Sequence, residues 1–467
     1  MKKLLNNFFL LATIAVLVVS CDKNDDDGGN NNTTLVELTG NLTTSTLTAD
    51  KQYLIKGQVF VNDGVVLTIE PGTVIFGDKA TRGTLVVTKG GVLNACGTST
   101  KPIVFTSALP ANARDRGDWG GLVILGRANV NQNNPAIEGI TPEVNFGTTN
   151  DASRDGESSG CLKYVRVEFA GIELTPNNET NSITLGGVGR GTTMEYVQVS
   201  FGGDDGYEFF GGAINAKYLI SQATWDDDFD VDYGFTGNVQ FGLALRYPSF
   251  ADQSQSNGFE TDNGPNDNDV TPYTNGVFSN ITVMGPIAEG AAVSQANYGH
   301  AIDLRRRTSL SIFNSVFTGF PIGVRMNQPS VYANYQSGRG VIENNILLAP
   351  KSPIYAAGTG VVVDSVKNYW EALNTTVSGA ASAAQYTSFG INPANFYNKT
   401  VSSAFASNPD FKLLPGTLNT GAKFTNAKFS ETNRNGYFEN VPYIGAFGGT
   451  ADWTDGWAEF NPISKAY

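Results

Sequence analysis

A single histidine serves the whole chain of 467 residues. A His-based catalytic triad or a His-rich metal site can therefore draw only on His300. Basic residues are also short: 31 Lys and Arg face 44 Asp and Glu, a formal net charge of −13. Such a surface repels phosphate backbones and acidic membranes, which excludes nucleic acid as a partner and turns attention to hard cations such as calcium. After the N-terminus no stretch approaches the roughly 18 apolar residues that a membrane-spanning helix needs. Leu/Ala/Glu/Lys runs at helical spacing are almost absent. Fifty-three glycines among many Thr, Val and Asn argue instead for short strands and frequent turns. Two tempting motifs lack their chemistry. Gly186-Gly187-Val188-Gly189-Arg190-Gly191 has no P-loop Lys-Ser/Thr, and the Asp-rich run from Asp262 to Asp269 meets Tyr273 where an EF-hand requires Glu.

The first residues set an expectation of export. Met1-Lys2-Lys3 is a basic start, Leu4 to Val19 is mostly apolar, and Val18-Val19-Ser20-Cys21 resembles a bacterial lipobox. Residues 1–20 read as a lipoprotein signal peptide with Cys21 as the lipidated residue; the alternative is an ordinary cleaved signal with an incidental Cys. Residues 21–33, with Asp25-Asp26-Asp27 and Asn30-Asn31-Asn32, bury nothing apolar and read as an acidic tether. Lipid is then the one membrane anchor implied, at an outer membrane and facing outward. Export permits Cys96 and Cys161 to pair if neighbouring coils bring them within about 7 Å, although the strand patterns do not put them in one register.

What the chain has in abundance is repetition. Gly202-Gly203-Asp204-Asp205-Gly206-Tyr207-Glu208-Phe209-Phe210 returns 22 residues later as Thr224-Trp225-Asp226-Asp227-Asp228-Phe229-Asp230-Val231-Asp232. The segment from Leu67 recurs from Leu85, 18 residues on, and again from Leu122. Units of this size, each a strand, a Gly-containing bend and a second strand, cannot bury a core alone and stack into a solenoid. The predicted fold is all-β, a right-handed parallel β-helix over residues 34–350, with Thr34 to Tyr53 covering its first coil and residues 351–467 forming an irregular extension and C-terminal cap.

Alternation assigns faces. In Lys163–Phe169, Glu195–Phe201 and Lys217–Ala223 it puts Val165, Val167, Phe169, Val197, Val199, Phe201, Leu219 and Ala223 inside. Tyr164, Tyr196 and Tyr218 then form an outward aromatic column suited to stacking on a glycan. The same logic places Glu208, Asp230 and Glu260 outward in one column, with Asp232 and Asp262 in the next. Like charges opposed across a ladder want a cation, a proton or an Arg, and oxygen ligands on neighbouring coils suit Ca2+. The alternative leaves Asp204, Asp205, Asp226 and Asp227 in Asx-turns and the outward acids in water.

Taken together, the lipobox, Arg116-Gly117-Asp118-Trp119-Gly120-Gly121, the two Asp-rich bends and the terminal Gly445-Ala446-Phe447-Gly448 to Gly456-Trp457 resemble uncharacterised β-helix lipoproteins of Bacteroidota. The resemblance implies the fold and a cell-surface location and no reaction. Calcium-dependent polysaccharide lyases on this fold are similar in carrying acidic ligands on stacked strands with an Arg or Lys base nearby, a place Arg305, Arg306 or Arg307 would take. Two functions are thus expected: a non-enzymatic surface protein that presents a β-helix flank to a polysaccharide or an outer-membrane protein, or a lyase or glycoside hydrolase using carboxylates such as Asp230 and Asp232.

Overall fold

The computed structural model describes residues 34–175, 178–287, 297–349, 353–378, 390, 410–412 and 418–467. Cys21 and the leader lie outside them. The chain is a right-handed parallel β-helix in which each coil carries three short strands and each strand pairs in parallel with its counterpart in the next coil. One coil shows the unit. Tyr207–Phe210 belongs to the first sheet, and Asn215–Gln222 supplies the second and third by bending at Tyr218. That coil pairs forward with Phe229–Asp232 and Asn238–Leu245. Val165, Val197 and Leu219 share one register position inside the helix, as do Tyr207, Phe229 and Phe259.

The bend between the second and third sheets explains the tyrosine column. Tyr164, Tyr196, Tyr218 and Phe241 all adopt left-handed backbone angles, with φ between 49° and 64°, and Asn280, Asn314 and Asn344 continue the column at 50° to 61°. Asn visits this region readily, whereas a bulky ring does so at a cost. Stacking offsets it: the Tyr164 and Tyr196 ring centroids are 4.4 Å apart, Tyr196 and Tyr218 4.3 Å, and Tyr218 and Phe241 5.0 Å. The tyrosines therefore occupy a corner rather than the open face of a strand.

A second left-handed column corrects three inward assignments. Phe169, Phe201 and Ala223 have φ of 62°, 55° and 55° and leave the central core for a satellite cluster with Tyr247, Phe250 and Ile463. The first coil also differs from expectation. Thr34–Asn41 and Ser45–Leu47 do not cover it but build it, pairing with Lys51–Val61 and Val66–Ile69 and adding Leu38 and Leu47 to the core. At the other end, helix α1 (Pro329–Gln336) packs Val331 and Tyr335 onto the core, and helix α2 (Val363–Leu373) adds Val366 and Trp370 beside the last strand, Thr375–Ser378.

The closing aromatic segment, expected to plug the C-terminal end, runs back along the flank. Phe411, Ile444, Phe447, Trp457 and Phe460 cover an apolar outer face made by Ile220, Leu243, Leu245 and Met284 of the third sheet. Side-chain amides of the coils grip the strap's backbone in matched pairs. Gln240 donates to Glu439 O at 2.9 Å and accepts from Glu439 N at 2.8 Å; Asn314 does the same with Lys423, and Gln198 with Glu459. Trp457 packs edge-on against Tyr164 and Tyr196, and Trp453 tilts onto Tyr218. Cys96 and Cys161 form a disulfide with Cα atoms 5.7 Å apart. They sit two register steps apart on adjacent strands, where Lys163 faces Cys96, so the bond crosses the ladder diagonally.

Candidate cation site on the first sheet

One outward column of the first sheet, followed coil by coil, reads Phe60, Val86, Val123, Thr184, Glu208, Asp230, Glu260, Asp303 and Arg325. Its apolar start lies under Val130, Ile140, Phe146 and Leu174 of the segment after Gly126. Where that cover stops, the column turns acidic. Glu208, Asp230 and Glu260 stand together as the sequence predicted, and Asp303, which alternation had not singled out, extends them.

Beside this column, at the turn that feeds the first sheet, a ladder of side-chain acceptors climbs the coils. Asn181 Oδ1 accepts from Asp205 N at 3.2 Å, Asp205 Oδ1 from Asp227 N at 2.8 Å, Asp227 Oδ1 from Asn257 N, and Asn257 Oδ1 from His300 N at 2.8 Å. Asp205 and Asp227 thus hold the next coil's backbone rather than closing turns of their own. A neutral Asn does this work at both ends of the ladder. The two central coils carry an ionisable carboxyl instead, at residues only 7% and 3% exposed. Nothing in backbone geometry demands a carboxyl there.

These groups merge into one cluster. Carboxylate oxygens of Asp204, Asp205 and Asp226, of Asp205, Glu208 and Asp230, and of Asp227, Asp230 and Glu260 lie within 4.8 Å of one another in each set. The outward acids are not solvated: Glu208 is 8% exposed, Asp232 7% and Asp262 2%. Asp204, Asp226, Asp230 and Glu260 are half-buried and mark the open side of the slot. Among the described residues, the ion pairs to the column's own acids gather at one end. Arg305 pairs with Glu260 and, at 2.6 Å, with Asp262; Arg306 reaches Asp262 at 2.7 Å; Arg325 holds Asp303. Asp262 is thereby neutralised twice over, whereas among the described residues Asp204, Asp205, Glu208, Asp226, Asp227, Asp230 and Asp232 form no ion pair. Asp226 Oδ1 and Asp230 Oδ1 are buried with no hydrogen-bond partner among the described residues.

Burial and then mutual repulsion push these carboxyls upward. Asp204, Asp205, Glu208, Asp227, Asp230 and Asp232 rise well above the usual range. Asp226 goes to about 6 and Glu260 to about 8. A cluster of this kind holds protons or a cation. An oxygen-only donor set fits a hard divalent ion.

The other expected residues fall elsewhere. His300 is 2% exposed with Nδ1 3.0 Å from Asn257 Oδ1, and burial lowers its pKa to about 4, so it is neutral. Arg305 is pushed up by Asp262, Glu260 and Asp230, which holds its proton in place. Arg307 ties down Asp267 and Asp269 of the Asp-rich loop. The Tyr164, Tyr196 and Tyr218 rings are half-buried beneath the strap. A cleft of about 760 Å³ between Asp155, Arg190 and Arg434 lies among other turns and includes none of the clustered acids.

Comparison with curated proteins and with solved structures finds no significant match. The profile of one family, the pectate-lyase like beta helix domain, matches residues 40–392, which spans the coils, the acidic slot and helix α2. The chain belongs to the pectate-lyase-like β-helix family.

Proposed function

We propose that the protein is a lipid-anchored cell-surface module that binds Ca2+ in the acidic slot and, through it, a polysaccharide, without cleaving it. The observation that carries this reading is the pair Asp205 and Asp227, carboxyls where the ladder needs only amides, set against the orphaned Asp230 Oδ1. Ca2+ takes about 6 to 8 oxygens, and the seven carboxylates without ion pairs supply that number with a choice of coils. The family's fold supports a carbohydrate-related role in general. Calorimetric titration of the chelated protein should give saturable Ca2+ binding that Asp227→Asn weakens about tenfold or more. Glycan-array binding should then vanish in EDTA, and Cys21→Ala should stop fatty-acid labelling. Titration with no heat, or glycan retention indifferent to EDTA, would sink the reading.

A second reading, a Ca2+-dependent lyase, is favoured by the Arg305 and Arg306 pairs at the column's end. A general base works best with a pKa near the operating pH, and Arg305 is held protonated, which is why binding is preferred. Release of unsaturated sugar, abolished in Asp230→Asn, would reverse that preference.

A further inference from the structure

Among the described residues, the first coil ends the β-helix without a cover. Thr34–Asn41 pairs there with Lys51–Val61 alone and Ser45–Leu47 with Val66–Ile69 alone, so eight and three residues present a backbone edge that no strand occupies. Val36 packs against the core yet is only half-buried, whereas Tyr53, its neighbour one coil on, is 4% exposed. Leu42 is left half-buried in the same way. Residues 22–33, which lead into this coil, have no apolar side chain to lay over them. The other end of the molecule differs, for helix α2 packs Val366 and Trp370 onto the core there. Exposed strand edges are commonly blunted by Lys, Pro or an inward charge. Thr34–Asn41 has no Lys, Arg or Pro, and its one acid, Glu37, is paired with Lys56 at 3.1 Å.

The flank beside this edge is open too. The outward column that carries Gln198 and Arg166 under the strap runs back through Val104, Val74 and Gln52 to Leu35. The strap reaches as far as Tyr467, which donates its hydroxyl to Glu168 Oε1 at 2.6 Å. Beyond that point Val74 is half-buried, as are Leu54 and Phe76 in the adjoining column, and Leu35 is 42% exposed. Charge decides what can meet such a surface. Residues 34–107, which build the first coils, hold six basic and five acidic side chains, whereas the whole chain carries −13. Two copies therefore repel each other over most of their surface and least at this end. The edge is also its own complement. A two-fold axis through Thr34–Asn41 sets the strand antiparallel to its copy, so that the free N–H and C=O groups of each face those of the other.

We propose that the first coil is a self-association surface, through which two copies join head to head along Thr34–Asn41 and cover Leu35. The proposal depends on neither the cation slot nor the lipid anchor. Its test is sedimentation velocity on the full chain carrying Cys21→Ala, so that acyl chains take no part. That chain should sediment as a dimer at about 10 μM, and Leu35→Lys or Thr39→Lys, both at exposed positions, should weaken association about tenfold or more. On oxidation Thr39→Cys should give a disulfide-linked dimer, whereas Lys367→Cys, exposed on helix α2, should not. A chain still monomeric at about 100 μM would overturn the proposal, as would association that neither lysine disturbs. Flotation of a monomer with phosphatidylcholine vesicles, lost in Leu35→Lys, would give the face to a bilayer and overturn the dimer. Should a lysine variant melt early, the crosslinking comparison decides the question, and equal crosslinking through Thr39→Cys and Lys367→Cys counts against it.

Discussion

Tyr196 shows how much one residue's role depends on what arrives from elsewhere in the chain. Alternation marks it as outward, and outward it is, yet it sits between two stacked rings and under Trp457. Tyr196→Ala should therefore cost stability, about 2 to 3 kcal/mol by loss of a largely packed ring, alongside the roughly 2 kcal/mol expected of Val197→Ala in the central core. Urea unfolding of both variants measures this directly. A Tyr196→Ala protein as stable as wild type would mean that the strap does not rest on the ring. Substituting Asn at the same place is the milder change in backbone terms, since Asn280, Asn314 and Asn344 hold the same corner in later coils.

At the level of the element, the acidic column links stability to pH with a definite sign. Carboxyls whose folded pKa is raised bind protons more tightly in the folded state than in the unfolded one. Their contribution is full below the ordinary values of 3.8 and 4.5 and is lost as pH climbs through about 6 for Asp226 and about 8 for Glu260. Chelated protein should thus melt at progressively lower temperature from about pH 4 to about pH 8, and millimolar Ca2+ should flatten the trend by replacing protons. Asp230→Asn should reduce the slope in EDTA. Melting that rises with pH in EDTA would contradict the repulsion on which the site rests. The column was legible because a strand has a period of two, so Glu208, Asp230 and Glu260 could be aligned from spacing alone. The ladder through Asn181, Asp205, Asp227 and Asn257 was not, because each bond joins a side chain to the backbone of the next coil across turns of unequal length. Arg325 was missed for a related reason: its partner Asp303 lies one coil back, 22 residues away.

For the whole molecule, the repeat gave away the solenoid but not the strap. The signal was present in Asn238–Leu245, which is buried at every position and so cannot be a strand with one wet face. Its cover comes from residues two hundred positions downstream, beyond the reach of local pattern. That distance has an energetic result. Coils that touch only their neighbours fray independently, whereas Gln240 with Glu439 and Gln198 with Glu459 join segments 199 and 261 residues apart. Gln240→Ala should remove two of these bonds at a cost of about 1 to 3 kcal/mol, speed amide exchange at Glu439 and broaden the thermal transition. Unchanged exchange at Glu439 would show that the strap holds without its amide clasps.

The regular register also turns the molecule into a ruler. Five coil steps lead from Asn41 through Phe60, Val86, Val123 and Thr184 to Glu208. At roughly 4.8 Å per step the slot opens about 24 Å beyond the first coil. Under the lipid anchoring proposed at Cys21, that rise, added to the reach of residues 21–33, sets the upper limit of how far above a bilayer the mouth of the slot can stand, and therefore which polymers at that surface can lie across it.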